Sequence, residues 1–260
     1  MSRWVLILGV SSGFGAAAAR AFARAGYDVA GVHLDRRAGQ AAADALAEEL
    51  RALGREACFF NLNAADDDRR AEVLAELRAR VAPGGLAVLL HSLAFGSLVR
   101  FIPDDPGAKG VTRKQLDMTL DVMANSLVYW TQDLVAGGLL GHGGRVFAMT
   151  SSGSLAMWPA YGAVSAAKCA LESHIRQIAV ELAPQGVTAN AIMAGVTRTP
   201  ALSKIPGAEE IARRALERNP AQRLTTVDDV AQCLLALAGP GTQWMTGNVI
   251  RVDGGESVAG

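Results

Sequence analysis

Tyr161 and Lys168 are residues whose types and spacing could do acid–base chemistry. They lie in the stretch AYGAVSAAK, where the other residues are small or apolar apart from Ser165. A helix turns by about 100° per residue, so a side chain seven positions further on returns to nearly the same face. If the helix has begun by Tyr161, a phenol and an ammonium group would point the same way and could pass a proton to a substrate.

A cluster of glycines near the N-terminus could hold a phosphate group. The stretch GVSSGFG, with the spacing G-x3-G-x-G, lies between an apolar run and a helical pattern. Glycines at such a turn let the backbone approach a pyrophosphate, and the N-terminus of the helix faces its negative charge. The position of the cluster therefore predicts a nucleotide site. Its residues would be Gly9, Ser11, Ser12, Gly13, Phe14 and Gly15.

Short apolar runs alternate with longer helical patterns along the chain. The predicted strands are WVLILG, DVAGVHL, EACFFNL, LAVLLHS, GRVFAMTS, VTANAIMAG and GNVIRVDGG. The segment KQLDMTLDVMANSLVYWTQDLVAGGLL is predicted to be one long helix. Apolar strands that alternate with helices are typical of a parallel sheet covered on both faces. We therefore expect one α/β domain over residues 1–260.

Two long segments interrupt this alternation, at residues 96–113 and 196–220. Each follows a predicted strand, and the first is longer than a usual βα loop. Parallel sheets bind ligands beyond the carboxyl ends of their strands. We expect both segments to be substrate loops, with a plain surface insertion as the alternative.

Composition and charge argue against several classes of function. Lys plus Arg and Asp plus Glu number 25 each, so no net charge attracts a nucleic acid. Cys58, Cys169 and Cys233 have no C-x-x-C spacing, and with four scattered histidines they give no metal-binding pattern. The apolar start MSRWVLILGV is too short to cross a bilayer and lacks the features of a signal peptide. We expect a cytoplasmic protein without a metal, a nucleic-acid partner or a membrane span.

Four motifs, in order along the chain, resemble the short-chain dehydrogenase/reductase family. They are GVSSGFG, LLHSLA, AGVTRT (with Ala194 in place of the family's proline) and TGNVIRVDGG. The resemblance covers nearly the whole sequence. It implies a doubly wound Rossmann-type sandwich with a seven-stranded parallel sheet that binds NAD(H) or NADP(H).

The same resemblance implies which other residues contact the cofactor. Those at the adenine, the ribose and the nicotinamide would be Asn61 and Leu62, then Ser92, Ala94 and Lys168, and finally Thr199 with the backbone around Val196.

The choice between the two cofactors depends on the end of the second strand, VHLDRR. Leu34 occupies what looks like the discriminating position, and Asp35, Arg36 and Arg37 follow it. An acidic residue here favours a free 2′-hydroxyl, whereas arginine pairs with a 2′-phosphate. The two arginines favour NADP(H) slightly. NAD(H) stays open, because both arginines could simply begin a solvated helix.

The tyrosine spacing resembles one branch of the family. Most members have Tyr-x-x-x-Lys, but four positions before Lys168 stands Val164, which cannot transfer a proton. A spacing of seven resembles the enoyl-acyl-carrier-protein reductases, as do HSLAF and AGVTRT (their Ala-Gly-Pro-Ile-Arg-Thr). Ser151, seventeen positions before the lysine, stands where many of these enzymes have an aromatic residue, and it matches a minority of them.

The resemblance implies a reductase for the carbon–carbon double bond of an enoyl thioester carried by acyl carrier protein or CoA. Tyr161 would donate to the thioester enolate, Lys168 would bind the nicotinamide ribose, and Ser151 would add a second donor. It also implies a homo-oligomer, a tetramer or dimer. The alternatives are a carbonyl reductase or alcohol dehydrogenase of the same fold, or a nucleotide-binding sensor without catalysis.

Overall fold

The computed structural model describes residues 3–259, without the side chain of Ala38; the remainder of the predicted 1–260 domain lies outside the described residues. The strands are β1 (Trp4–Leu8), β2 (Asp28–His33), β3 (Ala57–Asn61), β4 (Leu86–His91), β5 (Arg145–Ser151), β6 (Thr188–Ala194) and β7 (Val249–Val252). They form one sheet in the order β3-β2-β1-β4-β5-β6-β7, and every neighbouring pair is parallel. The doubly wound α/β fold predicted from the sequence is confirmed.

Helices cover both faces of the sheet. They are α1 (Gly13–Arg24), α2 (Arg37–Ala52), α3 (Asp67–Arg80), α4 (Arg113–Leu120), α5 (Ser126–Ala136), α6 (Gly162–Leu182), α7 (Ala208–Arg218) and α8 (Val227–Leu237). Successive strand residues point to opposite faces of the sheet, so each strand contributes side chains to two hydrophobic cores, one on each face. In β1, Leu6 and Leu8 pack with α3, α5 and α6. Val5 and Ile7 pack with α1, α2 and α8.

The long helix predicted from the sequence is interrupted. Between α4 and α5 the chain makes a π-helical turn at Asp121–Asn125. Ser126, directly after it, donates to the Val122 carbonyl at 2.8 Å, and its hydroxyl lies 2.9 Å from Nε2 of the buried His91. A π turn holds one more residue than an α turn and so shifts the face that later residues present. Helical periodicity alone does not reveal this turn.

The two long segments lie where the sequence predicts, after β4 and after β6. The second contains α7 and a short 3₁₀ turn at Leu202–Lys204. Within residues 3–259 no helix is both long and apolar enough to cross a membrane. Nor do the described residues gather three or more His, Cys, Asp or Glu side chains that could hold a metal ion.

Candidate active site

The turn between β1 and α1 requires glycine for steric reasons. Gly9 has φ +92°, and a Cβ on it would overlap the carbonyl oxygen of Ser92. A Cβ on Gly15 would overlap the carbonyl oxygen of Gly9. Gly13 has φ +55°, and a Cβ there would lie 3.6 Å from Cγ2 of Thr199. The turn therefore lies against Ser92, directly after β4, and beside Thr199, in the segment after β6.

The remaining predicted residues of this turn differ in their surroundings. Ser12 is the N-cap of α1, and its side chain makes no capping hydrogen bond. Ser11 is partly exposed, and Phe14 packs against the core that contains α1. In the neighbouring turn the Ser92 amide donates to the Leu8 carbonyl at 2.8 Å, while Ala94 is exposed.

The ends of β2 and β3 are joined by side-chain hydrogen bonds. Oδ1 of Asn61 accepts from the Asp35 amide at 3.0 Å, and its Nδ2 donates to the Asp35 carbonyl at 2.9 Å. The Asp35 carboxylate lies 2.9 Å from Nδ1 of His33. The Leu62 side chain is buried in the core, so only its backbone faces this edge. Arg36 is exposed at the start of α2.

Ser151 and Tyr161 lie together at the carboxyl end of β5. Their hydroxyl oxygens are 3.4 Å apart, and either could donate. Tyr161 is the N-cap residue directly before α6, with dihedral angles in the helical region (φ −91°, ψ −1°), so the helix expected to have begun by Tyr161 begins one residue after it. A Cβ on Gly153 would overlap the Tyr161 ring, which fixes that ring against the β5 turn. Burial raises the pKa of Tyr161, and the Ser151 hydrogen bond opposes that rise.

Lys168 is buried in the middle of the sheet's carboxyl edge. It is 6% exposed, and its Nζ donates to the Met149 carbonyl at 2.7 Å and to the Leu93 carbonyl at 3.5 Å. Burial lowers the pKa of Lys168 to about 8, and the charge of Glu172 opposes this. An ammonium has three protons to donate. Two carbonyls account for two of them, which leaves one for a ligand such as a ribose.

The segment after β6 has one contact that the sequence did not indicate. The Val196 amide donates to Oε2 of Glu256 at 3.0 Å, so this N–H is already used within the chain. The Thr199 hydroxyl accepts from the Leu202 amide at 3.2 Å. A cofactor contact near Val196 is therefore left to its carbonyl or to the neighbouring amide of Thr197.

Apolar side chains lie in the segments near Tyr161, a region that we call the rim. A Cβ on Gly162 would lie 2.7 Å from the Phe101 ring, so the loop after β4 folds onto the start of α6. Trp158 donates from Nε1 to the Pro206 carbonyl at 2.8 Å and thereby touches the loop after β6. The segments that follow β4 and β5 here carry five exposed apolar residues: Phe95, Phe101, Ile102, Leu155 and Met157.

Arg213 and Arg214 are paired within α7. Arg213 forms ion pairs with Glu210 and Glu217, and Arg214 pairs with Glu210. Their charges are therefore largely balanced locally.

Comparison with known proteins assigns the family. A family model described as Enoyl-(Acyl carrier protein) reductase matches residues 9–257. The chain belongs to this family of short-chain dehydrogenases/reductases. The relatives that match this chain are NAD(P)-dependent oxidoreductases. The resemblance read from the four sequence motifs is confirmed.

Three similar proteins illustrate the range of the family. A 1-cyclohexenylcarbonyl-CoA reductase of Streptomyces collinus is 36% identical over 122 residues, which are 46% of this chain and 44% of that protein. The match thus spans less than half of the length of that relative. An L-rhamnose 1-dehydrogenase (NAD(P)(+)) of Azotobacter vinelandii is 30% identical over 98% of this chain and 96% of that protein.

The third similar protein is a solved structure. An enoyl-[acyl-carrier-protein] reductase (NADH) from Aquifex aeolicus VF5 has a TM-score of 0.86 and 24% identity, over 99% of this chain and 97% of that one. This likeness supports the fold.

Proposed function

We propose that this enzyme uses NADH or NADPH to reduce the carbon–carbon double bond of a trans-2-enoyl thioester. One observation carries the proposal: the phenol that reaches Ser151 is seven positions before Lys168. The position four before Lys168 is Val164, which is buried and apolar. The proton donor therefore has the register that resembles the enoyl reductase branch.

A bound reduced nicotinamide would supply a hydride to the β-carbon of the enoyl group. The electron pair of the double bond then moves towards the thioester, and negative charge builds on its oxygen. Tyr161 donates a hydrogen bond or a proton at that oxygen, which stabilises the enolate. The Ser151 hydroxyl, 3.4 Å from the phenol, adds a second donor or orders the first. A proton from solvent at the α-carbon completes the saturated thioester, and a proton that Tyr161 has given to the oxygen returns to the phenol.

The shifted pKa values suit these two roles. Because burial raises the pKa of Tyr161, the phenol keeps its proton at neutral pH and remains a donor. Lys168 keeps most of its charge below pH 8 and can hold a ribose hydroxyl with its third proton. The positive charge of Lys168 also favours the negative charge that develops on the thioester oxygen.

The cofactor site fits a dinucleotide, with both phosphate forms open. Gly9, Gly13 and Gly15 would let the backbone approach the pyrophosphate, with Ser11, Ser12 and Phe14 of the same turn beside it. Arg36 and Arg37 are exposed, and neither forms an ion pair with a described side chain. Because a free guanidinium pairs well with a 2′-phosphate, we favour NADP(H) slightly over NAD(H).

The substrate would enter from the rim around Phe101 and Trp158. Its apolar side chains suit an acyl chain, and the Streptomyces relative is named as acting on a CoA thioester. We propose a CoA or acyl-carrier-protein thioester as the substrate class, a cytoplasmic location and a homo-oligomer.

A carbonyl reductase is the second candidate, because Ser151 stands where the ketone-reducing members have their serine and a relative over the full length is a sugar dehydrogenase. The test is cofactor oxidation at 340 nm with a trans-2-enoyl and a 3-oxoacyl thioester of equal length, each with NADH and NADPH. Turnover of the enoyl substrate supports the proposal. Turnover of the oxo substrate alone would assign a carbonyl reductase.

A further inference from the structure

The C-terminal turn, residues 253–258 after β7, holds a carboxylate that is buried against the segment that follows β6. Glu256 is 6% exposed, and its Oε2 accepts the hydrogen bond from the Val196 amide. The same oxygen would lie 2.9 Å from a Cβ added to Gly195. Because a buried carboxylate is unfavourable without hydrogen-bond donors, this contact accounts for the position of Glu256.

The C-terminal turn also holds the far end of the segment at residues 196–220. Arg218, at the end of α7, donates from Nη2 to the backbone carbonyl of Glu256 at 3.2 Å. Asn219 donates from Nδ2 to the Asp253 carbonyl at 2.9 Å. Both ends of the segment are thereby attached to one turn, although the segment runs for more than twenty residues between them.

The sequence supplies a reason for this contact. In the resembling pattern Ala-Gly-Pro-Ile-Arg-Thr, a proline stands at the position of Val196, and proline has no N–H to satisfy. Val196 brings a donor to a partly buried place, where an unpaired N–H is costly. Glu256 supplies the acceptor that this donor needs.

The attachment lies beside the glycine turn. The side chain of Thr199, three residues after Val196, lies beside Gly13: a Cβ added to Gly13 would be 3.6 Å from Cγ2 of Thr199. A backbone shift at Val196 is therefore transmitted to the part of the cleft where a nicotinamide would lie. The adenosine end of the cleft, at Asn61 and Asp35, has no contact with Glu256 among the described hydrogen bonds.

We infer that Glu256 is a positioning residue for the nicotinamide end of a bound dinucleotide. Its carboxylate holds the backbone of Gly195–Thr199 against the glycine turn, and it does not touch the reacting atoms. The inference rests on the proposed function only in requiring that a dinucleotide binds at this turn.

The test compares binding of a whole dinucleotide with binding of its adenosine half. Isothermal titration would use NADH and NADPH, and ADP-ribose and 2′-phospho-ADP-ribose, which lack the nicotinamide. Glu256→Met should weaken binding of the preferred dinucleotide about tenfold, because a hydrogen bond to a charged group is lost. Binding of the matching ADP-ribose should change less than about twofold.

Two variants serve as matched controls. Glu256→Gln keeps an acceptor oxygen and should bind the dinucleotide like the wild type. The double variant Val196→Pro/Glu256→Met removes donor and acceptor together and should regain most of the lost affinity. Glu256→Asp withdraws the carboxylate from Val196 and replaces Glu256→Met if that variant does not fold.

Equal losses for the dinucleotide and for ADP-ribose would overturn the inference, since they would show general damage. Unchanged dinucleotide binding in Glu256→Met and Glu256→Asp would overturn it as well, and so would a wild type that binds no dinucleotide. A wild type that binds the dinucleotide but reduces no enoyl thioester would refute the proposed function and leave this test valid.

Discussion

The cofactor side and the substrate side of the cleft are built in different ways. On the proposed cofactor side the backbone packs so closely at Gly9 and Gly15 that an added Cβ would overlap it, and the ammonium of Lys168 is buried. On the substrate side exposed apolar side chains lie on long loops, held by isolated contacts such as Trp158 to Pro206. The first arrangement allows few residue types, and the second allows many. We therefore expect dinucleotide binding to depend on particular residue types more than the choice of substrate does.

The largest effect is expected from Gly15→Ala. Its Cβ would overlap the Gly9 carbonyl oxygen, so the turn must deform. We expect loss of measurable cofactor binding and a fall in the free energy of unfolding by about 1–3 kcal/mol. Titration with NADH and NADPH and denaturant unfolding would measure both. In Gly141→Ala, where nothing lies within 4 Å of the added Cβ, both should stay close to wild type.

Removing the phenol tests the proton donor. Tyr161→Phe should lower kcat for the enoyl substrate by about 10²–10³ because a donor to the developing oxyanion is lost. Ser151→Ala should lower kcat less, by about fivefold, as for loss of one neutral hydrogen bond. Cofactor affinity should stay unchanged in both. A kcat of Tyr161→Phe near that of the wild type would remove Tyr161 from the mechanism.

The buried lysine predicts opposite trends of activity and stability with pH. The folded-state pKa of Lys168 is about 8, below its ordinary value of 10.5. Between these values the unfolded chain retains a proton that the folded chain has lost, so the contribution of this group to stability rises with pH. The charge that we propose to orient the ribose disappears over the same range, so kcat/KM should fall by about tenfold per pH unit above 8.

Rate profiles and urea unfolding between pH 7 and 10.5 would check both trends. Lys168→Arg, whose pKa lies above this range, should show neither trend. A flat wild-type rate profile up to pH 10 would contradict the assigned role of Lys168.

On the substrate side the expected effects are smaller. Trp158→Phe removes the hydrogen bond to the Pro206 carbonyl, which links the segment between β5 and α6 to the loop after β6. The KM for the enoyl thioester should rise about fivefold, and the KM for the cofactor should stay the same. Equal rises in both KM values would show that this loop contact also supports the cofactor side.

The smallest effect is expected from charge reversal on α7. Because Arg213 and Arg214 are exposed and already paired with Glu210, Arg213→Glu/Arg214→Glu should raise the KM for a carrier-protein thioester less than about fivefold. A CoA thioester provides the control. A large rise with the carrier protein alone would identify α7 as a docking surface for it.

The sheet and the glycine turn could be predicted because continuous apolar runs and closely spaced glycines each indicate one kind of local structure. All seven predicted strands are present, since continuous apolar runs separated by helical patterns fit only a buried parallel sheet. The Tyr161 register could be read from a spacing of seven because α6 begins next to that residue.

The π turn and the contacts between distant segments could not be predicted from the sequence in this way. The π turn at Asp121–Asn125 leaves the helical pattern intact, so periodicity does not reveal it. The bond between Val196 and Glu256 joins residues sixty positions apart, and only the fold brings them together. The pairing of Asn61 with Asp35 likewise depends on the register of β2 and β3.

Following the hydride is the most direct test of the proposed reaction. The wild type would be run with a trans-2-enoyl thioester and a cofactor dideuterated at C4 of the dihydropyridine ring, and the product analysed by NMR. We predict a saturated thioester with one deuterium at C3 and a solvent-derived hydrogen at C2. An unchanged enoyl thioester, together with deuterium on the hydroxyl-bearing carbon when a 3-oxoacyl thioester is offered, would contradict the proposal.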